Sequence, residues 1–313
     1  MSVSIIELAG AEYAEPITQV HINSAADLEN ANLCNLPMFE NLTVEFRYNY
    51  NGELLPNLPA RKVLLMNGSK FSGKMESVET LVITGGVVKN TSEAFPNLRT
   101  LICNSAVVTI KSLWGFPGEE MIVRGGYIEP GVVKNYDILS LRCYDLARRV
   151  SLCFFQTKIR NLEFIDCPAI EIMSTNRTLI SLKVHGLPRF PDSPPRSTAV
   201  INCEFVIVMD LRNISIESFG ATEVFNFMAS DSDLGKDPIY TYNAIVSNIT
   251  GIVGSTSMVD KSSVEFTIAD SDAYLIVNKS LTKTDIDTAA AQIANICTST
   301  AKMVLSASDE TSD

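Results

Sequence analysis

Apolar residues return along this chain at nearly constant intervals. Val20, Leu42, Val63, Leu81, Leu101, Met121, Leu141, Leu162, Leu182 and Cys203 are separated by 22, 21, 18, 20, 20, 20, 21, 20 and 21 residues. Most of these anchors have an apolar residue three positions earlier and another two positions later. Examples are Val78, Leu81 and Ile83; Leu98, Leu101 and Cys103; Ile159, Leu162 and Phe164; and Val200, Cys203 and Phe205. The last two positions of each set have the spacing of a short strand with one buried face. A unit of this size cannot close a core alone, so a fixed period predicts a repeat solenoid, rich in β-strand, in which each coil buries its apolar face against the next. A second apolar cluster follows each anchor by about seven to nine residues: Val88, Val108 and Ile110, Ile128, Ile170 and Ile172, and Phe190. About twenty residues per coil leave little room for a helix, so this cluster predicts a second extended edge.

The anchor sets read L-x-x-L-x-L with substitutions. On these residues the chain resembles the leucine-rich repeat family over roughly residues 17 to 216, and the resemblance implies a solenoid with a parallel sheet along one face. The stretch from Glu93 to Leu101, with Phe95, Pro96 and Leu98, is similar to treponema-type repeats. Leu55-Pro56-Asn57-Leu58-Pro59 is similar to the short repeats of bacterial effectors. One feature departs from the family. The position five after the anchor, where the family places Asn or Cys, holds Gly68, Gly86, Ala106, Gly126, Leu146, Cys167 and Leu187, so only Cys167 fits. The hydrogen-bonded Asn ladder is missing, and small residues there allow close approach of backbones or a tight turn. A right-handed parallel β-helix, whose coils are of similar length, is the alternative architecture.

Domain organisation follows from where this pattern fades. Residues 1–216 read as the solenoid with its N-terminal cap, and 217–283 as degenerate continuing repeats or a small β-rich domain, with anchors at Phe225, Ile245 and Phe266. Residues 284–305 read as an amphipathic capping helix. Thr284 is its N-cap, Asp285 and Asp287 lie in the first turn, and Ala289, Ala290, Ile293, Ile296, Cys297 and Val304 form one stripe. Residues 306–313 read as an acidic tail. Of the net charge of −11, nine units fall beyond residue 216, where 14 acidic groups meet 5 lysines.

The chemistry on offer is sparse. His21 and His185 fall on outward positions many coils apart, too far to share a metal, so no metal or cofactor is expected. Gly85-Gly86 and Gly125-Gly126 read as turn glycines after strands and not as a phosphate loop. The acidic balance argues against nucleic acid. The opening residues lack a basic leader and a membrane span is not expected. Seven cysteines without C-x-x-C spacing, of which Cys103, Cys143 and Cys203 sit at inward positions, point to a reducing, cytoplasmic location.

Function is therefore sought on the outward sheet positions. The residues directly after the anchors are His21, Thr43, Leu64, Val82, Ile102, Ile122, Arg142, Glu163, Lys183 and Glu204. Leu64, Val82, Ile102 and Ile122 are expected to form an exposed apolar strip of a few hundred Å². Arg124, Arg142, Tyr144, Glu163, Lys183, His185 and Glu204 are expected to form a charged and aromatic strip, a composition suited to a protein contact. The expected function is a non-catalytic scaffold that binds a protein partner through its sheet face. The alternatives are a homo-oligomeric or assembly subunit, and a β-helix that binds or cleaves glycan with Glu163 and Glu204, between which Lys183 stands.

Overall fold

The computed structural model describes residues 2–4, 17–30, 42–53, 60–66, 70–88, 91–109, 118–134, 138–155, 157–175, 179–188, 193–220, 222–236, 239–255, 266–269, 272–277 and 302–305. The chain forms an all-parallel β-solenoid; the described helices are two short ones, Ala25–Asn30 and Thr91–Ala94. It divides into two compact units, the first comprising Met1–Val150 with Gln156–Ile159 and the second Ser151–Phe155 with Arg160–Asp313.

In the first unit Gln19–Ile22, Leu42–Phe46, Ala60–Met66, Thr80–Thr84, Thr100–Asn104, Glu120–Arg124 and Ser140–Tyr144 pair consecutively in parallel. Their inward residues form one column, Val20, Val44, Val63, Leu81, Leu101, Met121 and Leu141, all buried. Val44, and not Leu42, stands in this column, because the unbroken pairing with Gln19–Ile22 sets Val20 opposite Val44; Leu42 lies opposite Ala60, beyond a register shift. The second edge is also extended: Val87–Val88, Val107–Val108 and Tyr127–Ile128 pair in parallel. Val108 and Ile128 are buried there as the periodicity predicts, while Ile110 and Phe190 lie outside the described residues.

The chain turns between its two edges on a residue in the left-handed region, four after the anchor. In the first unit this is Gly85, Ser105, Gly125 or Asp145, and in the second Asp166, Asn213, Asp231 or Asn248. Gly, Asn and Asp are the residues that occupy this region at least cost. The amides of Gly85, Ser105 and Gly125 donate to the carbonyls of Asn104, Arg124 and Tyr144, so the hydrogen-bond ladder runs into the corner. Immediately after it, Gly126 comes so close to the preceding coil that a Cβ would overlap the Ala106 carbonyl oxygen. The small residues at this position therefore do what the missing Asn ladder does not: they let successive corners nest.

In the second unit Asn161–Ile165, Ser181–His185, Phe205–Arg212, Glu223–Asp233, Ile239–Ser255 and Phe266–Ala269 continue in parallel. The inward column here is Leu162, Leu182, Met209, Phe227 and Ala244, with Phe266 in register beside Ala244. Cys203 is buried but belongs to the other edge, where Ala169–Ser174, Ser197–Cys203 and Ile214–Ser218 pair. The coil after Leu182 is longer, and the chain crosses the second edge before reaching Met209. The Val200, Cys203, Phe205 spacing therefore imitates an anchor set without being one. The strands of residues 217–255 pair with the coils before them, so the solenoid runs on through this stretch. Phe225 and Ile245, expected as inward anchors, are instead exposed; Val224, Phe227, Ala244 and Val246 fill the interior. At the end of the expected capping helix, Lys302–Leu305 is a strand paired with Asp272–Val277, because an open strand edge supplies a full set of backbone partners. Residues 284–301 and 306–313, with Gly68, Cys34 and Cys297, lie outside the described residues. No described helix is long and apolar enough to cross a membrane.

Candidate functional site

The outward column of the first unit runs His21, Glu45, Leu64, Val82, Ile102, Ile122 and Arg142. Leu64, Val82, Ile102 and Ile122 are neighbours as the period requires. The strip is nevertheless less open than four outward aliphatics suggest, since Val82 is 8% and Ile122 9% exposed, while Leu64 and Ile102 are half-buried. In-register branched side chains on strands about 4.8 Å apart cover one another's flanks, which reduces what each presents to solvent. Glu45 and not Thr43 follows His21, in the same pairing that sets Val44 opposite Val20. Glu45 accepts a hydrogen bond from Gln19 and pairs with Arg47 at 3.1 Å.

Beyond Ile122 the first unit becomes basic and aromatic. Arg142 pairs with Glu120 at 3.2 Å. Arg124 lies beside Tyr144 in register, with its guanidinium carbon 5.6 Å from the ring centroid. Across the Gly125-Gly126 corner Arg148 stands 5.0 Å from the centroid of Tyr127. Arg148 and Tyr127 lie on the turn and second edge, where the strand spacing alone does not mark them.

In the second unit Glu163 and Lys183 face each other in register and form a 3.0 Å ion pair. The residue beyond Lys183 is Asp210, and Glu204 is displaced to the end of the other edge, where it is exposed and its amide donates to the Ser174 carbonyl. The Glu163 and Glu204 pairing on which glycan cleavage would depend is therefore not formed in this column. Asp210 accepts hydrogen bonds from His185 Nε2 at 3.0 Å and from Arg212 at 3.1 Å. Burial pushes its carboxyl upward, but the hydrogen bonds from His185 and Arg212 and their charges outweigh that and hold it below the ordinary 3.8. Among the described residues no three His, Cys, Asp or Glu side chains gather as a metal site.

The more exposed apolar side chains lie where periodicity did not place them. Two positions before the inward column of the second unit, Ile180, Ile207 and Phe225 stand on successive coils, 40%, 38% and 42% exposed. Ile245, on the next coil and one position after that column, is 61% exposed. In the first unit four consecutive equivalent positions hold Arg61, Glu79, Arg99 and Glu119, an alternating charged run, followed by Leu139 and then Arg160 at the start of the second unit. The signal that identifies the apolar row is this change from charged to apolar side chains at a position the L-x-x-L spacing leaves outward.

Fold and surface together define a β-solenoid with an outward sheet face in each unit. In comparisons with known proteins, no family model matches the chain, and no curated sequence or solved structure is significantly similar to it. The resemblance to leucine-rich repeats thus rests on the L-x-x-L-x-L spacing.

Proposed function

We propose that this protein is a non-catalytic scaffold that binds a protein partner through its outward sheet face, with the centre of the contact in the second unit. The observation that carries this reading is the exposed row of Ile180, Ile207 and Phe225, with Ile245 exposed further along the next coil. Side chains of this size held open to water on successive coils are a source of burial free energy, and the rigid sheet beneath them limits the ordering cost of association. The polar group next to the row, Lys183, His185, Asp210 and Arg212, supplies orientation at its rim. The same reading places the protein in a reducing compartment, supported by Cys103, Cys143, Cys167 and Cys203 lying in the core as free thiols.

Photo-crosslinking tests it. A photoreactive residue introduced at 207 is expected to give a discrete adduct with another protein species in the native extract, and Phe225→Asp to abolish that adduct while leaving the circular dichroism unchanged. Equal yield from a probe at Thr84, an exposed position on the first unit's sheet, overturns the reading. An adduct of the chain with itself, together with a solution mass of twice 34.2 kDa that falls on Ile207→Asp, makes the face a contact between copies instead.

A further inference from the structure

The corner of the first unit that carries Gly125 and Gly126 holds two arginines in one unusual state. Each is exposed, each lies over a tyrosine ring, and among the described residues neither has a carboxylate partner. Their neighbour Arg142, by contrast, is paired with Glu120. A guanidinium held over an aromatic face by cation–π attraction keeps N–H donors that can take a carboxylate in two parallel hydrogen bonds. The ring contact also restricts the side chain before any ligand arrives, so less is lost on binding. Only Gly125 and Gly126 separate Arg124 from Tyr127, the platform of Arg148, and a span of three residues is at most about 10 Å. That separation suits two carboxylates carried on one extended peptide.

From this we infer that the corner is a docking site for an acidic peptide segment of a protein partner, bound through Arg124 over the Tyr144 ring and Arg148 over the Tyr127 ring. Charge complementarity is local here. The corner itself carries Arg124, Arg148 and Arg149 against Asp145 and Glu129, on a chain whose net charge is −11. A short acidic segment feels that local field within a Debye length of about 8 Å, whereas a long polyanion such as nucleic acid feels the repulsion of the whole molecule. The inference rests on the first unit alone and stands apart from the apolar row of the second.

The test uses the full chain and a fluorescent peptide of six glutamates spaced by glycine, with its glutamine counterpart, in anisotropy titrations at about 0.05 M salt. The glutamate peptide is expected to bind saturably and the glutamine peptide not to bind. Arg124→Gln with Arg148→Gln is expected to weaken binding by about tenfold or more, and Arg196→Gln, at an exposed site in the second unit, to leave it unchanged. Arg124→Lys with Arg148→Lys keeps the charge and loses the planar fork, so a loss of several-fold is expected there too. Equal binding of both peptides, indifference to the double glutamine variant, or full retention in the double lysine variant overturns the proposal. So does an oligothymidine of equal charge that displaces the peptide at lower concentration, which makes the corner a nucleic-acid contact.

Discussion

At the scale of single residues, the corners and one carboxylate carry the sharpest consequences. Gly126 approaches the backbone of Ala106, with a built Cβ only 2.8 Å from its nitrogen as well as overlapping its oxygen, and backbone cannot swing aside as a side-chain tip can. Gly126→Ala is expected to cost about 1–3 kcal/mol, read as a lower urea midpoint with an unchanged m-value. Gly125→Asn is the contrasting case. Its φ of +64° is one that Asn adopts, and its nearest neighbour is the Ser105 hydroxyl at 3.4 Å, so a change within about 1 kcal/mol is expected. Asp210 is linked to pH through its depressed carboxyl. Its stabilisation is fully present above the unfolded carboxyl range and is lost as pH falls through the folded value. Asp210→Asn is therefore expected to lower stability by about 1–3 kcal/mol near pH 6, and urea titrations at successively lower pH are expected to narrow the gap between variant and wild type. A stability gap that persists unchanged in acid contradicts the linkage.

At the scale of elements, the inward columns and the outward ladders differ in energetic weight. Leu182 is fully buried in its strand, and Leu182→Ala is expected to cost about 2–5 kcal/mol. The ladder pair Glu163 and Lys183 has side chains 22% and 38% exposed, and Glu163→Gln is expected to change stability by less than about 1 kcal/mol. Comparing the two denaturation midpoints checks both statements at once. Buried strand thiols give an independent reading of the same columns. Burial pushes Cys103 and Cys203 up to about 12, so alkylation mapped by mass spectrometry is expected to leave both unmodified in the native protein and to label both in about 8 M urea. Native labelling of Cys203 would place it on a solvent face and contradict its position on the second edge.

At the scale of the whole chain, charge and apolar surface are distributed unequally. The acidic excess belongs to the part of the sequence beyond residue 216, and the same unit carries the exposed Ile180, Ile207 and Phe225 row. Net charge keeps copies apart at low ionic strength, whereas burial of the row is insensitive to salt. Light scattering is therefore expected to give 34.2 kDa at low salt, and an increase in mass with added salt that Ile207→Asp suppresses would identify the row as the self-adhesive surface.

The inward positions were legible without the fold. A strand's period of two and the recurrence of the coil are local properties, so Leu81, Leu101, Met121, Leu141 and Leu162 fall inward wherever the coils are stacked. Which outward residue meets which is not local. It depends on how many residues each corner and loop consumes, and only strand pairing settles that. The coil after Val20 returns to the column at Val44 and not Leu42, which replaced Thr43 by Glu45 beside His21, and the long coil after Leu182 replaced Glu204 by Asp210 beside Lys183. A displacement of a few residues leaves the hydrophobic pattern almost intact while changing every neighbour on the surface. The solenoid and its inward residues from Val63 to Leu182 were thus determined by the sequence pattern, whereas the inward residues Val44, Met209, Phe227 and Ala244, the ion pairs, the ring-held arginines and the exposed apolar row were decided by tertiary register.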